Sequence, residues 1–347
     1  MSRAPRLLFH SASRRGLGHV MRGANLARAV LAAEPSAHVL MHVSNAAAGP
    51  ACGDVPWVAG DHTAPGAWER IVDGVRPTVV VFDTMLPGDW ATDTTPRAFV
   101  WRASVDARHE ATLASPALAA MRALIVPHAP DEFGRALPAP LAARATFTGP
   151  IVRTTDAAGQ ALVRARYGIG PDDVVITSTV GGGGFDDSAA WLLDLVFAAH
   201  ARWRTTVPRL RHLVVRGPLA SGTAATAPEG MTLIDADFDL VHLFAISTLV
   251  VAEAGYNTIN ELRHVRVPAL IAPGARTYDD QTARARALEA LGVARVVERH
   301  DPAAALDTLA TLPCDRAALA AMRAAAEAAP FEPGNARAAR ALLDAAR

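Results

Sequence analysis

Residues 247–261 read STLVVAEAGYNTINE, and this stretch decides the fold. The apolar run that ends at Ala252 predicts a buried strand, Gly255 permits a tight turn, and a helix starts near Asn257. On both sides of this unit, short apolar runs alternate with alanine-rich helical periods along the whole chain. This alternation predicts parallel α/β architecture.

The predicted strands fall into two sets, separated by the turn-rich stretch FTGPIVRTTD. We therefore predict a first domain over residues 1–149 and a second over residues 150–330, with a last helix in residues 331–347 that could return to the first domain. The predicted strands are residues 6–10, 38–43, 78–83, 97–102 and 123–127 in the first set, and 173–179, 211–216, 231–235, 247–252, 268–273 and 294–298 in the second.

The basic residues restrict the chemistry, because all 34 of them are arginine and the chain of 347 residues contains no lysine. A Walker A phosphate loop, a pyridoxal-phosphate Schiff base and a lysine nucleophile are therefore excluded. The 34 acidic residues balance the arginines, which argues against an electrostatic nucleic-acid binder.

Cysteine content and hydropathy indicate the compartment. Cys52 and Cys314 are too few and too far apart for a disulfide framework or a cysteine-based zinc site, which suits a reducing cytoplasm. The N-terminus lacks the apolar core of a signal peptide, and no uncharged apolar stretch of about 18 residues occurs. We expect a cytoplasmic protein with no transmembrane segment, for which peripheral contact with a membrane stays open.

The loop after the first predicted strand places a histidine at a helix start. In SRRGLGHVMRG, residues 13–23, Gly16 and Gly18 let the backbone approach a ligand, and His19 begins the helix. Asp83 ends the strand TVVVFD, so both side chains belong to the same edge of one sheet. A carboxylate bonded to one imidazole nitrogen makes the other a better base. Capping of a helix or turn by either residue is the alternative.

A run of four glycines, residues 181–184, follows another predicted strand. Such a loop can turn several N–H groups toward a phosphate, and Gly182 and Gly183 are the central candidates. A loop that binds nothing is the alternative, and the missing GK[ST] sequence excludes a P-loop.

The helix after Gly255 and the next helix start carry the most specific pattern. Thr258 and the N–H groups near Asn257 could hold a diphosphate, and Glu261, one turn on, could accept both hydroxyls of a ribose. Asp280 and Gln281 begin the following helix, where they could bind sugar hydroxyls. Capping explains Asn257 and Thr258 singly but does not explain the acidic and amide side chains that accompany them.

GYNTINE followed by this Asp-Gln pair resembles the nucleotide-sugar signature of GT-B glycosyltransferases, especially the MurG-like branch with the family 28 C-terminal type of domain. GLGHVMRG and VGGGG are similar to two further loops of that branch, in the same order. The resemblance implies two Rossmann-like domains with parallel sheets that face one another across a cleft. It also implies that the first domain binds the acceptor and the second binds the nucleotide sugar.

By motif, the resemblance implies an inverting transfer in which His19 and Asp83 deprotonate an acceptor hydroxyl. The donor is a nucleoside diphosphate sugar, UDP more readily than dTDP, and the acceptor is a small or lipid-linked alcohol; no cofactor and no metal is implied. The implied donor-binding residues are Gly18, Gly182, Gly183, Gly255, Asn257, Thr258, Glu261, Asp280 and Gln281.

Several features depart from this pattern or compete with it. Ahead of Gly255, where many relatives have His or Ser, this chain has Glu253 and Ala254, so one phosphate contact that the resemblance implies is missing from the motif. GHVMR is also similar to a motif of nucleotide-sugar hydrolases of nonulosonate biosynthesis, so a hydrolase is a second hypothesis beside the transferase. A catalytically silent nucleotide-sugar-binding subunit is a third hypothesis. Asp235 and Asp237 form a DxD pattern, which we interpret as an acidic turn. We interpret His38 and His42, which alternate on a predicted strand, as structural.

Overall fold

The computed structural model describes residues 4–12, 16–184, 186–220 and 226–347. The chain divides into two compact units, Met1–Val152 with Glu332–Arg347, and Arg153–Phe331. Each unit contains one sheet, and the paired strands in both sheets are parallel. The predicted parallel α/β architecture is therefore confirmed. Residues 13–15, which open the motif ahead of His19, lie outside the described residues.

Over the described residues, the first sheet has seven strands in the order β3-β2-β1-β4-β5-β6-β7, and the second has six in the order β10-β9-β8-β11-β12-β13. The order reverses between β1 and β4 in the first sheet and between β8 and β11 in the second. The strands are β1 Arg6–Ser11, β2 His38–Val43, β3 Trp57–Ala59, β4 Val79–Asp83, β5 Arg97–Val100, β6 Ala123–Val126, β7 Ala145–Phe147, β8 Val174–Thr179, β9 Leu210–Val215, β10 Met231–Ile234, β11 Leu249–Ala252, β12 Ala269–Ile271 and β13 Ala294–Val296.

Helices cover both sheets, and short 3₁₀ segments occur at Ala46–Cys52 and Leu312–Cys314. No helix in the described ranges is long and apolar enough to cross a bilayer. The helices are α1 Gly18–Ala33, α2 Ala67–Val75, α3 Asp106–Leu113, α4 Pro116–Ala119, α5 Pro130–Phe133, α6 Ala139–Ala142, α7 Ala157–Arg166, α8 Asp186–Thr206, α9 Leu240–Ala245, α10 Tyr256–Val265, α11 Gln281–Ala290, α12 Pro302–Thr311, α13 Arg316–Ala328 and α14 Asn335–Ala345.

Every predicted strand overlaps an observed one, and the sequence missed only β3 and β7 among the strands that the structure describes. Both have three residues and lie at the two ends of the first sheet. The side chains of β3 are exposed and those of β7 are half-buried. Three residues are too few to show the periodicity of a strand, and neither strand is buried enough to require a longer apolar run.

The last helix belongs to the first unit, because α14 packs against α1 and buries Ala338, Ala339 and Leu342. The turn into α14 needs glycine at position 334, where a Cβ atom would lie 2.4 Å from the carbonyl oxygen of Gly149. The small alanine side chains then allow the two helices to approach closely.

Candidate functional site

Both strand-order reversals place loops with candidate residues at the carboxyl edge of a parallel sheet. In the first unit, β1 leads to α1 and β4 ends at Asp83. In the second unit, β8 leads to the glycine loop and β11 leads through Gly255 to α10. Loops on the two sides of such a reversal diverge to opposite faces of the sheet, which opens a crevice where ligands bind in α/β proteins.

His19 and Asp83 meet in the first unit. His19 Nδ1 lies 2.7 Å from Asp83 Oδ1, and the imidazole is about 29% exposed whereas the carboxylate is buried. An Nδ1–H that donates to the carboxylate leaves the lone pair on Nε2. The ring therefore presents a basic nitrogen on the side away from Asp83.

Arg22, one turn after His19 in α1, also binds this carboxylate. Its Nε donates to Asp83 Oδ2 over 2.9 Å, and its Nη2 donates to Asp83 Oδ1. Arg22 and Asp83 are both buried, so the ion pair between α1 and the end of β4 is shielded from water. Burial by itself would raise the pKa of Asp83, but the charge of Arg22 and hydrogen bonds from His19 and Arg22 outweigh it and lower the pKa to about 2.

Thr84 completes this hydrogen-bond network. Its hydroxyl donates to Asp83 Oδ1 over 2.9 Å and accepts a bond of 2.8 Å from Arg22 Nη2. The residue has φ of 59°, a left-handed conformation that costs a threonine on the order of 1–2 kcal/mol. The hydroxyl donates one of these hydrogen bonds and accepts the other. Together they offset the strain and hold the end of β4 in place.

The second unit contains another buried acid with arginine partners. Glu253, directly after β11, binds Arg276 Nη2 and the hydroxyl of Ser188, and Arg299 Nη2 lies 3.5 Å from its Oε1. Two guanidinium groups and one carboxylate give this cluster a formal charge of +1. It lies at the carboxyl edge of the strands that carry the glycine loop and α10, so the edge favours an anion.

Glu261 is buried in α10, and its environment differs from that of Glu253. Burial raises the pKa of Glu261 to about 8, although the charge of Arg153 and a hydrogen bond to the Arg153 backbone lower it in part. The free protein therefore holds Glu261 mainly as a neutral acid near pH 7. A ligand that donates two hydroxyl groups would favour the ionised carboxylate.

Gly255, Asn257 and Thr258 form the start of α10, as predicted. Gly255 is the N-cap residue and has no side chain with which to cap the first turn. Asn257 and Thr258 are half-buried and lie in that turn. The positive end of the helix dipole therefore points toward the carboxyl edge of β11.

The glycine loop owes at least part of its composition to backbone packing. A Cβ atom at Gly183 would lie 2.6 Å from the carbonyl oxygen of Arg216, and both Gly181 and Gly183 have positive φ. Gly182 O accepts a bond of 3.0 Å from Leu219 N. Glycine is thus required here whether or not a phosphate binds.

Asp280 and Gln281 each have a structural bond. Asp280 caps α11, with its Oδ1 accepting from Ala283 N over 2.8 Å, and its side chain is exposed. Gln281 is buried, and its Oε1 accepts from Gly274 N over 2.8 Å. One carboxylate oxygen of Asp280 remains for a further partner.

The structure places eight of the nine predicted donor residues in the second unit, on the loops and helices that follow β8, β11 and β12, which are neighbouring strands. Gly18 is the exception, since it starts α1 in the first unit beside His19. Arg22, Arg276 and Arg299 are not among the residues that the sequence motifs single out. For Arg22 a signal existed, because positions 19 and 22 share one face of a helix.

The DxD pattern is used in hydrogen bonding within the second unit. Asp237 Oδ2 accepts from Tyr167 OH over 2.5 Å and from Arg166 Nη1 over 3.2 Å. Its Oδ1 accepts from Asp239 N over 2.7 Å. Asp237 is buried and Asp235 is exposed, so the two carboxylates do not present a shared pair of free oxygens.

No family model and no curated protein sequence matches this chain. Solved structures match its fold at low identity: the glycotransferase of kitacinnamycin has 16% identity over 100% of both chains, with a TM-score of 0.61. The spinosyn rhamnosyltransferase SpnG has 17% identity over 98% of this chain and 100% of its own, with a TM-score of 0.62. SnogD from Streptomyces nogalater has 16% identity over 99% and 100%, with a TM-score of 0.56. The predicted GT-B fold is confirmed.

The Arg22–Asp83 ion pair should dominate the stability of the first unit. Arg22→Met leaves a buried carboxylate without its cation, so we expect a loss of roughly 3–5 kcal/mol at pH 7, measured by urea unfolding. The pKa of Asp83 is lowered in the folded state, so its contribution is present above about pH 4 and is lost as the pH falls through about 2. The deficit of Arg22→Met should therefore shrink in acid.

Arg28→Met is the matched control on the same helix. Arg28 pairs with Asp54, whose side chain is 80% exposed, so its removal should cost only about 0–1 kcal/mol. Equal losses for the two variants would show that Arg22 stabilises no buried charge.

Glu261 should make the ligand-free protein less stable as the pH rises. Its folded pKa is raised, so its contribution is fully present below about pH 4.5 and is lost as the pH rises through about 8. Glu261→Gln removes this titration. The melting temperature of the variant, relative to that of the wild type, should therefore rise between pH 6 and pH 9. Glu229→Gln, at an exposed carboxylate of the same unit, should give a constant difference; parallel profiles for all three proteins would contradict the assignment.

Proposed function

We propose that the protein is a glycosyltransferase that moves a sugar from a nucleoside diphosphate donor to a hydroxyl group of a small-molecule acceptor. The observation that carries the proposal is the His19–Asp83 pair at the strand-order reversal of the first unit. The fold supports it: the structures that share it include SpnG complexed with thymidine diphosphate and SpnG complexed with the spinosyn aglycone.

On the acceptor side, His19 is the general base. Asp83 receives the Nδ1–H of the ring, so Nε2 carries the lone pair that removes the hydroxyl proton. Arg22 keeps Asp83 ionised and fixes its position, which makes Arg22 a positioning residue. The carboxylate also stabilises the imidazolium that forms when the proton is taken up.

On the donor side, we assign the diphosphate to the start of α10 and to the glycine loop. The N–H groups near Asn257 and Thr258, Gly255, and the loop glycines Gly182 and Gly183 would receive the phosphate oxygens. Glu261 would bind both ribose hydroxyls, and Asp280 and Gln281 would bind the sugar. The net positive cluster around Glu253 supports this placement, since its arginines favour an anion at the same edge.

The proposed chemistry is an inverting transfer. As the bond to the diphosphate breaks, oriented N–H groups and the dipole of α10 stabilise the charge of the leaving group. The deprotonated acceptor oxygen attacks the anomeric carbon, and the proton moves to His19. We propose that no metal takes part in this step, so added Mg²⁺ or Mn²⁺ should not change the rate; the hydrogen bonds already made by Asp237 support this.

The substrates and the branch of the family are further parts of the proposal. The GYNTINE and Asp-Gln signature favours the MurG-like branch and a UDP donor, whereas SpnG was solved with thymidine diphosphate. A screen of candidate donors should therefore include both UDP- and dTDP-sugars. A screen of candidate acceptors should include lipid-linked alcohols as well as soluble ones. We propose that the protein acts in the cytoplasm.

The donor panel tests the proposal directly. Purified protein is titrated with each nucleotide sugar, and binding is read as a rise in melting temperature before turnover is measured with acceptors. Transfer supports the proposal. Hydrolysis that needs no acceptor identifies a nucleotide-sugar hydrolase, and binding without turnover identifies a silent binding subunit.

Glu261→Ala should weaken donor binding by roughly 1.5–3 kcal/mol, about 10- to 150-fold in Kd, because two hydroxyl bonds to a charged acceptor are lost. Isothermal titration with the best nucleotide of the panel measures the change, and circular dichroism checks that the variant is folded. Glu229→Gln serves again as the control. An unchanged Kd in folded Glu261→Ala would refute the ribose assignment.

His19→Ala should leave donor affinity nearly intact and lower kcat by roughly 10²- to 10⁴-fold, as expected for a lost proton acceptor. Asp83→Asn should produce a related defect, and the double variant should be little worse than either single one, because the two residues act as a unit. Steady-state kinetics per folded molecule provides the measurement.

The control is His38→Ala, which removes an exposed imidazole from the same unit. It should retain wild-type kcat. If His19→Ala instead melts early and keeps its turnover per folded molecule, the residue has only a structural role.

A further inference from the structure

Three histidines cluster in the first unit, on the face of the sheet opposite α1. His10 in β1 and His42 in β2 are register partners, and His62 lies in the turn after β3. The side chain of the adjacent Ser11 faces α1, because its hydroxyl lies 3.4 Å from the carbonyl oxygen of His19 in that helix. Because side chains alternate along a strand, His10 points to the other face, where its ring lies 5.5 Å from the ring of Trp68 in α2.

The ring nitrogens of this cluster converge. One nitrogen from each of His10, His42 and His62 lies within 4.8 Å of the other two. His10 Nδ1 and His42 Nδ1 are 2.9 Å apart. In the part of the chain that the structure describes, no other three histidine, cysteine or acidic side chains approach one another so closely with their ligand atoms.

The hydrogen bonding of the cluster is incomplete. His10 and His42 are buried and His62 is half-buried. Nε2 of His42 and Nδ1 of His62 are buried without a hydrogen-bond partner among the described residues. Buried polar atoms normally have partners, so the unpartnered Nδ1 of His62 favours a ligand at this cluster. Nε2 of His42 is not the atom that contacts His10, and the backbone of Gly60 interacts with the His42 ring.

Burial disfavours the charged form of these rings. It lowers the pKa of all three, and the repulsion of neighbouring rings adds to this for His10 and His42. A neutral imidazole offers one nitrogen lone pair to a Lewis acid, and a bound ion would replace the hydrogen bond between His10 Nδ1 and His42 Nδ1.

We propose that His10, His42 and His62 bind one divalent transition-metal ion of the Zn²⁺ class. Zinc binds imidazole nitrogens at about 2.0–2.1 Å, so two ligands of a tetrahedral ion lie roughly 3.4 Å apart. The His10–His42 pair, at 2.9 Å, is already near that separation, and a nitrogen of His62 lies within 4.8 Å of both. Water takes the fourth position, and the neighbouring Asp61 reduces the local positive charge.

The ion has a structural role in this proposal. It joins β1 and β2 to the loop after β3, a strand of three exposed residues at the edge of the sheet. The rings of Trp68, Phe82 and Trp90 lie within 6 Å of the His10 ring and surround it with apolar surface, which strengthens the metal–ligand attraction. The proposed site differs from the prediction that His42 is structural and that the protein needs no metal.

Metal binding to the whole chain tests the proposal. Protein dialysed against EDTA and then freed of chelator is titrated with Zn²⁺ alone by calorimetry, and its melting temperature is followed. We expect one equivalent to bind and the melting temperature to rise. Co²⁺ in place of Zn²⁺ should give the visible absorption of a four-coordinate nitrogen site.

His62→Ala should lower Zn²⁺ affinity on the order of 100-fold and remove the stabilisation, while His38→Ala, on β2 but exposed, should change neither. His62→Gln preserves side-chain volume and replaces His62→Ala if that variant does not fold. Binding of less than one equivalent to the wild type, or unchanged affinity in a folded His62 variant, overturns the proposal. These readouts do not depend on glycosyl transfer, so they remain decisive if the proposed activity fails.

Discussion

In each unit the strand order reverses once, and this reversal determines where side chains can act. Between β1 and β4, and again between β8 and β11, neighbouring parallel strands send their following segments to opposite faces of the sheet. The helices α1 and α10 start at these two edges. The candidate base lies at the first edge and the candidate diphosphate site at the second.

Two buried acids, Asp83 and Glu261, show how local partners determine protonation. Burial raises the pKa of Asp83 and of Glu261 alike, but only Asp83 receives hydrogen bonds from a buried guanidinium. Asp83 is therefore held as an anion that can orient His19, whereas Glu261 is held mainly as a neutral acid. A third buried acid, Glu253, lies between Arg276 and Arg299, whose two guanidinium groups outnumber its one carboxylate. Partner geometry, more than residue type, decides the role of each carboxyl group.

Several residues that suit a ligand also have a structural task in the folded chain. Gly183 is required by its approach to Arg216, Asp280 caps α11 and Gln281 binds Gly274. These bonds hold the loops in place before any ligand arrives, which lowers the entropic cost of binding. Structural and binding interpretations of one residue are therefore compatible at this edge.

Alternation of apolar runs with helical periods, read from the sequence alone, determined the parallel α/β architecture, and the GYNTINE, glycine-loop and Asp-Gln motifs pointed to the GT-B fold. Those signals are local, because a strand, a turn or a helix start depends on neighbouring residues. The tertiary structure alone decided that Arg22 pairs with Asp83, that Arg276 and Arg299 surround Glu253, and that three histidines from separate segments converge. Such contacts join residues far apart in the chain, and their energies depend on burial and on distances of a few ångströms, which no spacing along a sequence specifies.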